Sequence, residues 1–283
     1  MLPRWCGGTA FHIALFCYNH NMNHLSILDM DIFENQAVKS HFFKNGKAVE
    51  DSPVWGMSLL EASSMRFRYN ETNDNRPSFF EKLFAGRERT VTPVELIHSK
   101  IVYAVSSSSE IARRTGDGVI TKNACLCPTV TVADCMPLFL FDPETRVFGA
   151  LHSGWKGTGI IEEALKTASE KYGAKAKDFL VAIGAHIKSC CYEVDCERAC
   201  FFRSQFGDNA ALERDGKWYL SLLDANLNIL RRAGVKDENI TVLDNCTCCT
   251  KMAEKSVFGS YRRETRSTAG VPFTVQAAFC YWE

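Results

Sequence analysis

Two residues that follow β-like runs carry the strongest chemical signal in this chain. Cys135 comes after the β-branched run Thr129–Ala133 in Thr131-Val-Ala-Asp-Cys-Met-Pro137. His152 comes after the apolar run Val147–Leu151 in Gly149-Ala-Leu-His-Ser-Gly-Trp-Lys-Gly157. Strand ends are where a rigid scaffold presents reactive side chains. A thiol and an imidazole presented this way make two metal ligands, or a nucleophile and its base. They read equally as a buried thiol and a hydrogen-bonded core histidine, since free cysteine is commonly buried without a function. Gly154, Gly157 and Gly159 allow tight backbone paths beside a ligand. The helix start just beyond them offers unpaired N–H groups to an anion.

A second group of candidates is the thiols near the C-terminus. Cys246-Thr-Cys-Cys249 contains a C-x-x-C spacing, and Cys190-Cys191 lies upstream. Such a pair ligates zinc or takes part in redox exchange. One pair alone reads more simply as incidental or buried thiols.

The elements that must position these groups alternate between periods. Strands are expected over Val119–Thr121, Thr129–Ala133, Pro137–Phe141, Val147–Leu151, Phe179–Gly184, Ile240–Leu243 and Phe273–Tyr281. A strand–turn–strand with Asn45-Gly46 as its turn fits Phe42–Trp55. The segment Val94–Val105 also reads as β. Helical spacing appears in Thr158–Tyr172, through Ile160, Ile161, Ala164, Leu165 and Ala168 with Gly173 as the stop. It appears again in Leu222–Ala233, and helices are expected over Asp195–Phe206 and Ser78–Phe84. Residues 63–78 read as a polar loop. Helices interleaved with hairpins predict a mixed α/β (α+β) fold, a layered sandwich of mixed sheets flanked by helices. No linker splits it, so one domain is expected over 46–283. Residues 1–45 have no steady period and read as an irregular N-terminal extension.

Bulk properties narrow the function classes. The 283 residues are 46% hydrophobic, enough for a core that needs no staple. Basic and acidic residues balance at 33 each, for a formal net charge of +0. A nucleic-acid partner is therefore disfavoured, and a small anionic ligand is not. The 13 cysteines are odd in number and irregularly spaced, which fits a reducing, cytoplasmic compartment. Arg4 and the apolar run Ala10–Tyr18 faintly resemble a signal peptide, but His12 interrupts the run and no clean cleavage site follows. No stretch reaches the ~18–20 apolar residues of a membrane span. Oligomeric state is not legible.

The strings Asp117-Gly-Val-Ile-Thr121, Ala133-Asp-Cys-Met-Pro137 and His152-Ser-Gly-Trp-Lys-Gly157 together resemble the multicopper polyphenol oxidase (laccase-domain) family, which includes purine nucleoside phosphorylases. Ile97-His98-Ser99, Asn75-Arg76, Cys191-Tyr-Glu-Val194, Cys246-Thr247 and Ser260-Tyr-Arg-Arg263 match further elements in family order. The resemblance implies a zinc site on His98, Cys135 and His152, which would also be the catalytic centre. Two imidazoles and a thiolate suit zinc, and three protein ligands leave a fourth position open. It implies phosphorolysis of adenosine, inosine, guanosine or S-methyl-5′-thioadenosine to free base and a sugar 1-phosphate. For some members it also implies deamination of adenosine. Arg76, Arg262 and Arg263 are the candidates for phosphate, whose oxygens match a guanidinium fork, and Asp134 is a candidate to orient a ligand. Lys156 and Gly184-Ala185 depart from the family pattern, and both bear on substrate preference. Copper-dependent polyphenol oxidation is the weaker enzymatic alternative. Of 7 histidines, His12, His20, His24 and His41 lie in the poorly patterned leader. A non-catalytic scaffold that kept the fold is the third reading.

Overall fold

The computed structural model describes residues 21–266 and 270–283. Its framework is two stacked sheets. The first has seven strands in the order Asn23–Leu25, Ile240–Leu243, Leu180–Ile183, Met136–Phe141, Phe148–Ser153, Gly118–Thr121 and Val102–Val105. The second has six, in the order Asp31–Phe33, Ala37–His41, Val54–Ser58, Gln276–Tyr281, Leu126–Val132 and Thr90–Pro93. Both are mixed: Met136–Phe141 is antiparallel to both neighbours, whereas Leu180–Ile183 runs parallel to Ile240–Leu243.

The sequence of Met136–Phe141 explains the layering. All six of its residues are buried. Phe139 and Phe141 join Trp55, Met57, Val130 and Ala278 in the core between the sheets. Leu138 and Leu140 face the opposite way, into the core beneath the helices. A strand covered on both faces loses the polar alternation of a half-exposed one. Among the described residues the five α-helices are α1 (Asn75–Phe84), α2 (Ile160–Tyr172), α3 (Cys196–Phe206), α4 (Leu222–Arg232) and the short α5 (Tyr261–Glu264). α2, α3 and α4 bury apolar residues against the seven-stranded sheet. α1 lays Phe79, Phe80, Leu83 and Phe84 on the outer face of the six-stranded one. The result is the mixed α/β layered fold expected from the sequence, with helices outside and sheets inside. Among the described residues, no helix is long and apolar enough to cross a membrane.

Two expectations need correction. Val94–Val105 is not a continuous strand. Strands occupy Thr90–Pro93 and Val102–Val105, and the connection between them carries His98 at φ 59, a left-handed backbone. The reading of residues 1–45 as irregular does not hold for residues 21–45; residues 1–20 lie outside the described residues. Asn23–Leu25 pairs with Ile240–Leu243, and Ala37–His41 pairs with Val54–Ser58. These strands are too short to show a period, and the first pairs with a segment more than two hundred residues away, so nothing local announces it.

Candidate metal centre and cavity

Three connections bring the ligand candidates together. The chain passes from the six-stranded to the seven-stranded sheet twice, once through the 94–101 connection and once through the bend at 133–135. His98 sits on the first crossing and Cys135 on the second. His152 is the penultimate residue of Phe148–Ser153 and pairs with Pro137 across the ladder. Residues 37 and 17 positions apart in sequence thus meet where two sheet crossings adjoin one strand end.

The ligand atoms of His98, Cys135 and His152 lie within 4.8 Å of one another. The two imidazoles meet edge to face, with centroids 4.9 Å apart and planes at 87°. A Cβ on Gly154 would come within 2.8 Å of Cys135 Sγ, 3.6 Å of the His98 ring and 3.7 Å of the His152 ring. Only a residue without a side chain leaves that cradle open. A soft thiolate with two imidazoles is a donor set for zinc or another late transition metal, so these residues could hold a metal ion.

A buried carboxylate organises the set. Asp117 accepts hydrogen bonds from the backbone N–H of His98 (2.9 Å) and of Ser99 (2.6 Å), and from the Ser99 hydroxyl (2.6 Å). Its Oδ1 also lies 2.9 Å from His152 Nδ1. That contact holds the proton on Nδ1, donated to the carboxylate, and leaves the Nε2 lone pair as the metal-binding face of His152. Burial works against the Asp117 charge, yet the bonds from His152 and Ser99 hold its carboxyl below the usual range. Burial also opposes ionisation of Cys135, but His152 and His98 outweigh it and pull the thiol down. His152 is pushed up despite its burial, by Cys135 first and then Asp117. Without a metal the pair is a thiolate beside an imidazolium; a metal ion takes the thiolate and the neutral imidazole, so its binding displaces the extra His152 proton.

The three ligand candidates line a cavity of about 420 Å³, within the range of small-molecule sites. Its wall includes the aromatic residues Phe67, Trp155, Tyr192, Tyr261 and Phe273, and the cationic residues Arg66, Arg68, Arg198 and Arg262. Arg198 stacks 4.4 Å from the Trp155 ring, and Arg262 sits 5.5 Å from that of Tyr192. Burial pushes the Tyr192 hydroxyl up to about 12, so it stays protonated.

The sequence-predicted arginines separate. Arg262 lines the cavity. Arg76 does not: it is 7% exposed, donates to Met65 O at 2.7 Å and lies against Phe67 and Phe80. Its guanidinium braces the wall from behind. Arg263 is likewise spent on carbonyls, those of Thr247 (2.9 Å) and Cys248 (3.1 Å), with a further bond to Phe258. Asp134 is buried and does not orient a metal-ligand candidate. It accepts from the Thr247 hydroxyl and the Arg262 N–H, both at 2.6 Å, and so fixes the segments behind the cavity. The orienting role falls to Asp117, which stands first in one of the recognised strings. The helix start after Gly159 is not part of the cavity, and Glu162 and Glu163 already fill its first turn with negative charge. Arg66-Phe67-Arg68 was hidden in a stretch that reads as a polar loop; alternation of cationic and aromatic residues was the available signal.

The chain matches the family model described as multi-copper polyphenol oxidoreductase laccase over residues 63–275. It belongs to that family. A purine nucleoside phosphorylase of Clostridium acetobutylicum is 33% identical over 173 residues, covering 60% of this chain and 70% of the relative. Adenosine deaminase RL5, from an unknown prokaryotic organism, is 31% identical over 159 residues, covering 54% of this chain and 59% of that protein. The crystal structure of YlmD from Geobacillus stearothermophilus superimposes with a TM-score of 0.75 at 23% identity, over 92% of this chain and 100% of that one. That likeness confirms the fold.

Proposed function

We propose that this chain is a purine nucleoside phosphorylase, with deamination of adenosine as a second activity, working at a zinc ion held by His98, Cys135 and His152. Relatives named for those two activities support nucleoside chemistry at the family level. The observation that carries the reading is convergence: two imidazoles and a thiol from three distant segments share one cavity wall with aromatic rings and four arginines.

Each group suits a part of the reaction. Aromatic faces stack on a purine. The guanidinium forks of Arg262 and Arg198 match the oxygens of phosphate, whereas Arg66 and Arg68 are held by Glu71 and Glu95. In phosphorolysis the glycosidic C–N bond breaks, a phosphate oxygen bonds to the anomeric carbon, and the base leaves with a proton. Asp117 keeps the His152 proton at Nδ1, fixing the ring for its ligand role. A zinc ion bound here would supply Lewis acidity at a fourth, open coordination position.

The test is incubation of purified protein with adenosine or inosine, with and without phosphate, read by chromatography and ultraviolet absorbance. Phosphate-dependent release of free base is expected. Cys135→Ala should lose both the zinc of this site and turnover, by a factor of at least about 10². No base release and no inosine from adenosine would overturn the reading, as would full turnover in the variant. Several coppers per chain would favour polyphenol oxidation instead.

A further inference from the structure

The segments that follow two neighbouring parallel strands, Leu180–Ile183 and Ile240–Leu243, carry Cys190-Cys191 and Cys246-x-x-Cys249. After them the chain segments stay in register, with a bridge from His186 to Cys246. Thr247 N–H donates to His186 O at 3.0 Å. A turn then presents Cys190 and Cys191, with Cys191 N–H bonded to Lys188 O at 2.9 Å. Opposite, Thr250 N–H closes a turn on Cys246 O at 3.0 Å and brings Cys246 and Cys249 to one side. The four Sγ atoms of Cys190, Cys191, Cys246 and Cys249 all lie within 4.8 Å of one another.

We propose that these four residues form a second, structural zinc site with four thiolate ligands, separate from the centre in the cavity. Zn–S bonds of about 2.3 Å in a tetrahedron put sulfurs roughly 3.8 Å apart, and Cys190 and Cys249 are 3.7 Å apart. A disulfide joins two sulfurs and gives no reason for two more to converge; a tetrathiolate ion needs all four. The Lys188 backbone N–H donates to Cys246 Sγ, 3.4 Å away, a bond that steadies a thiolate ligand from behind. Cationic side chains surround the two turns: Arg214 donates to Ser189 O, Arg263 to Thr247 O and Cys248 O, and Lys188 pairs with Asp244. Arg214 offsets part of the net negative charge of a zinc ion with four thiolates, while Lys188 and Arg263 already pair with Asp244 and Glu264. On binding, four S–H protons pass to solvent and four Zn–S bonds form, with no change of oxidation state. The ion would tie together the turns beside Ile187 and Tyr192, which line the cavity. The sequence signal was the C-x-x-C; only the fold pairs it with Cys190-Cys191.

Full-length protein purified under reducing conditions and dialysed against trace zinc tests the site. Cys190 and Cys249 are exposed, so the Cys190→Ser/Cys249→Ser double variant should fold. It is expected to hold one equivalent of zinc fewer than the unaltered chain. Cys135→Ala should keep the equivalent that the double variant loses. Cobalt loaded into Cys135→Ala should show the intense sulfur-to-metal absorption of several thiolate ligands. An unchanged metal count in the double variant overturns the proposal. So does a metal-free Cys135→Ala protein whose thiol titration finds a Cys190–Cys249 disulfide. Because the two sets of variants act on different sites, failure here leaves the cavity reading standing, and the reverse also holds.

Discussion

Asp117 shows how much one side chain decides. It is fully buried and touches both histidine segments: it fixes the backbone of His98 and the ring of His152. Replacing it by Asn keeps the shape and removes the charge, and an amide whose N–H₂ faces His152 Nδ1 favours the wrong tautomer. Outer-shell partners of this kind are worth about 10–100-fold in metal affinity. Asp117→Asn should therefore weaken metal binding at the cavity by about that factor, measured by competition with a chromogenic chelator. Wild-type affinity in the variant would remove Asp117 from the organising role. Arg76 gives the opposite lesson. Its residue type and place in the string pointed to phosphate, but the fold spends its guanidinium on Met65 O and two aromatic rings.

At the scale of elements, the centre depends on the chain crossing between two sheets, and those sheets depend on strands near the N-terminus. Ala37, Val38 and Phe42 are completely buried, and Ala37–His41 covers the edge of Val54–Ser58. A chain started at residue 46, as the sequence pattern alone would propose, loses these contacts. Fully buried Val38 and Phe42 contribute about 1.5–3 kcal/mol each, and Ala37 under about 1, against a total stability of roughly 5–15 kcal/mol. The shortened chain should lose most of its resistance to urea or fail to unfold cooperatively, followed by circular dichroism. An unchanged urea midpoint would mean that residues 21–45 merely decorate the sheets.

For the whole molecule, pH sets stability through its shifted carboxyls. Asp117 is held low against its burial by His152 and Ser99. Glu95 is held low by the Tyr69 N–H and then by Arg68, and Glu283, despite burial, by Lys39. A carboxyl depressed on folding contributes stability that is present above its unfolded pKa of about 4 and is lost as pH falls through the folded value. Asp224 acts the other way, because burial raises it, so acid relieves its cost. Asp29, Asp51, Glu110 and Asp195 are also held low by hydrogen bonds, so seven depressed carboxyls against one raised one predict a net loss. The urea midpoint should fall between pH 6 and pH 3.5. A midpoint that stays level across that range would show these carboxyls to be equally placed in the unfolded chain.

The sequence by itself determined the layers and the identity of the family. The apolar run of Met136–Phe141, the helical spacing of α2 and α4, and the strings around Cys135 and His152 are local signals, written in residues a few positions apart. The family resemblance carried by those strings implied His98, Cys135 and His152 as one group, and those side chains do meet. Tertiary structure decided what local periodicity does not encode. It chose Asp117 over Asp134 as the carboxylate behind the ligands, and Arg262 over Arg76 and Arg263 at the cavity. It also joined Cys190-Cys191 to Cys246-x-x-Cys249, and Asn23–Leu25 to Ile240–Leu243. Each of these is a contact across tens to hundreds of residues. A side chain's chemistry comes from its sequence position, but its partners come from which strand ends and crossings the packed sheets set side by side.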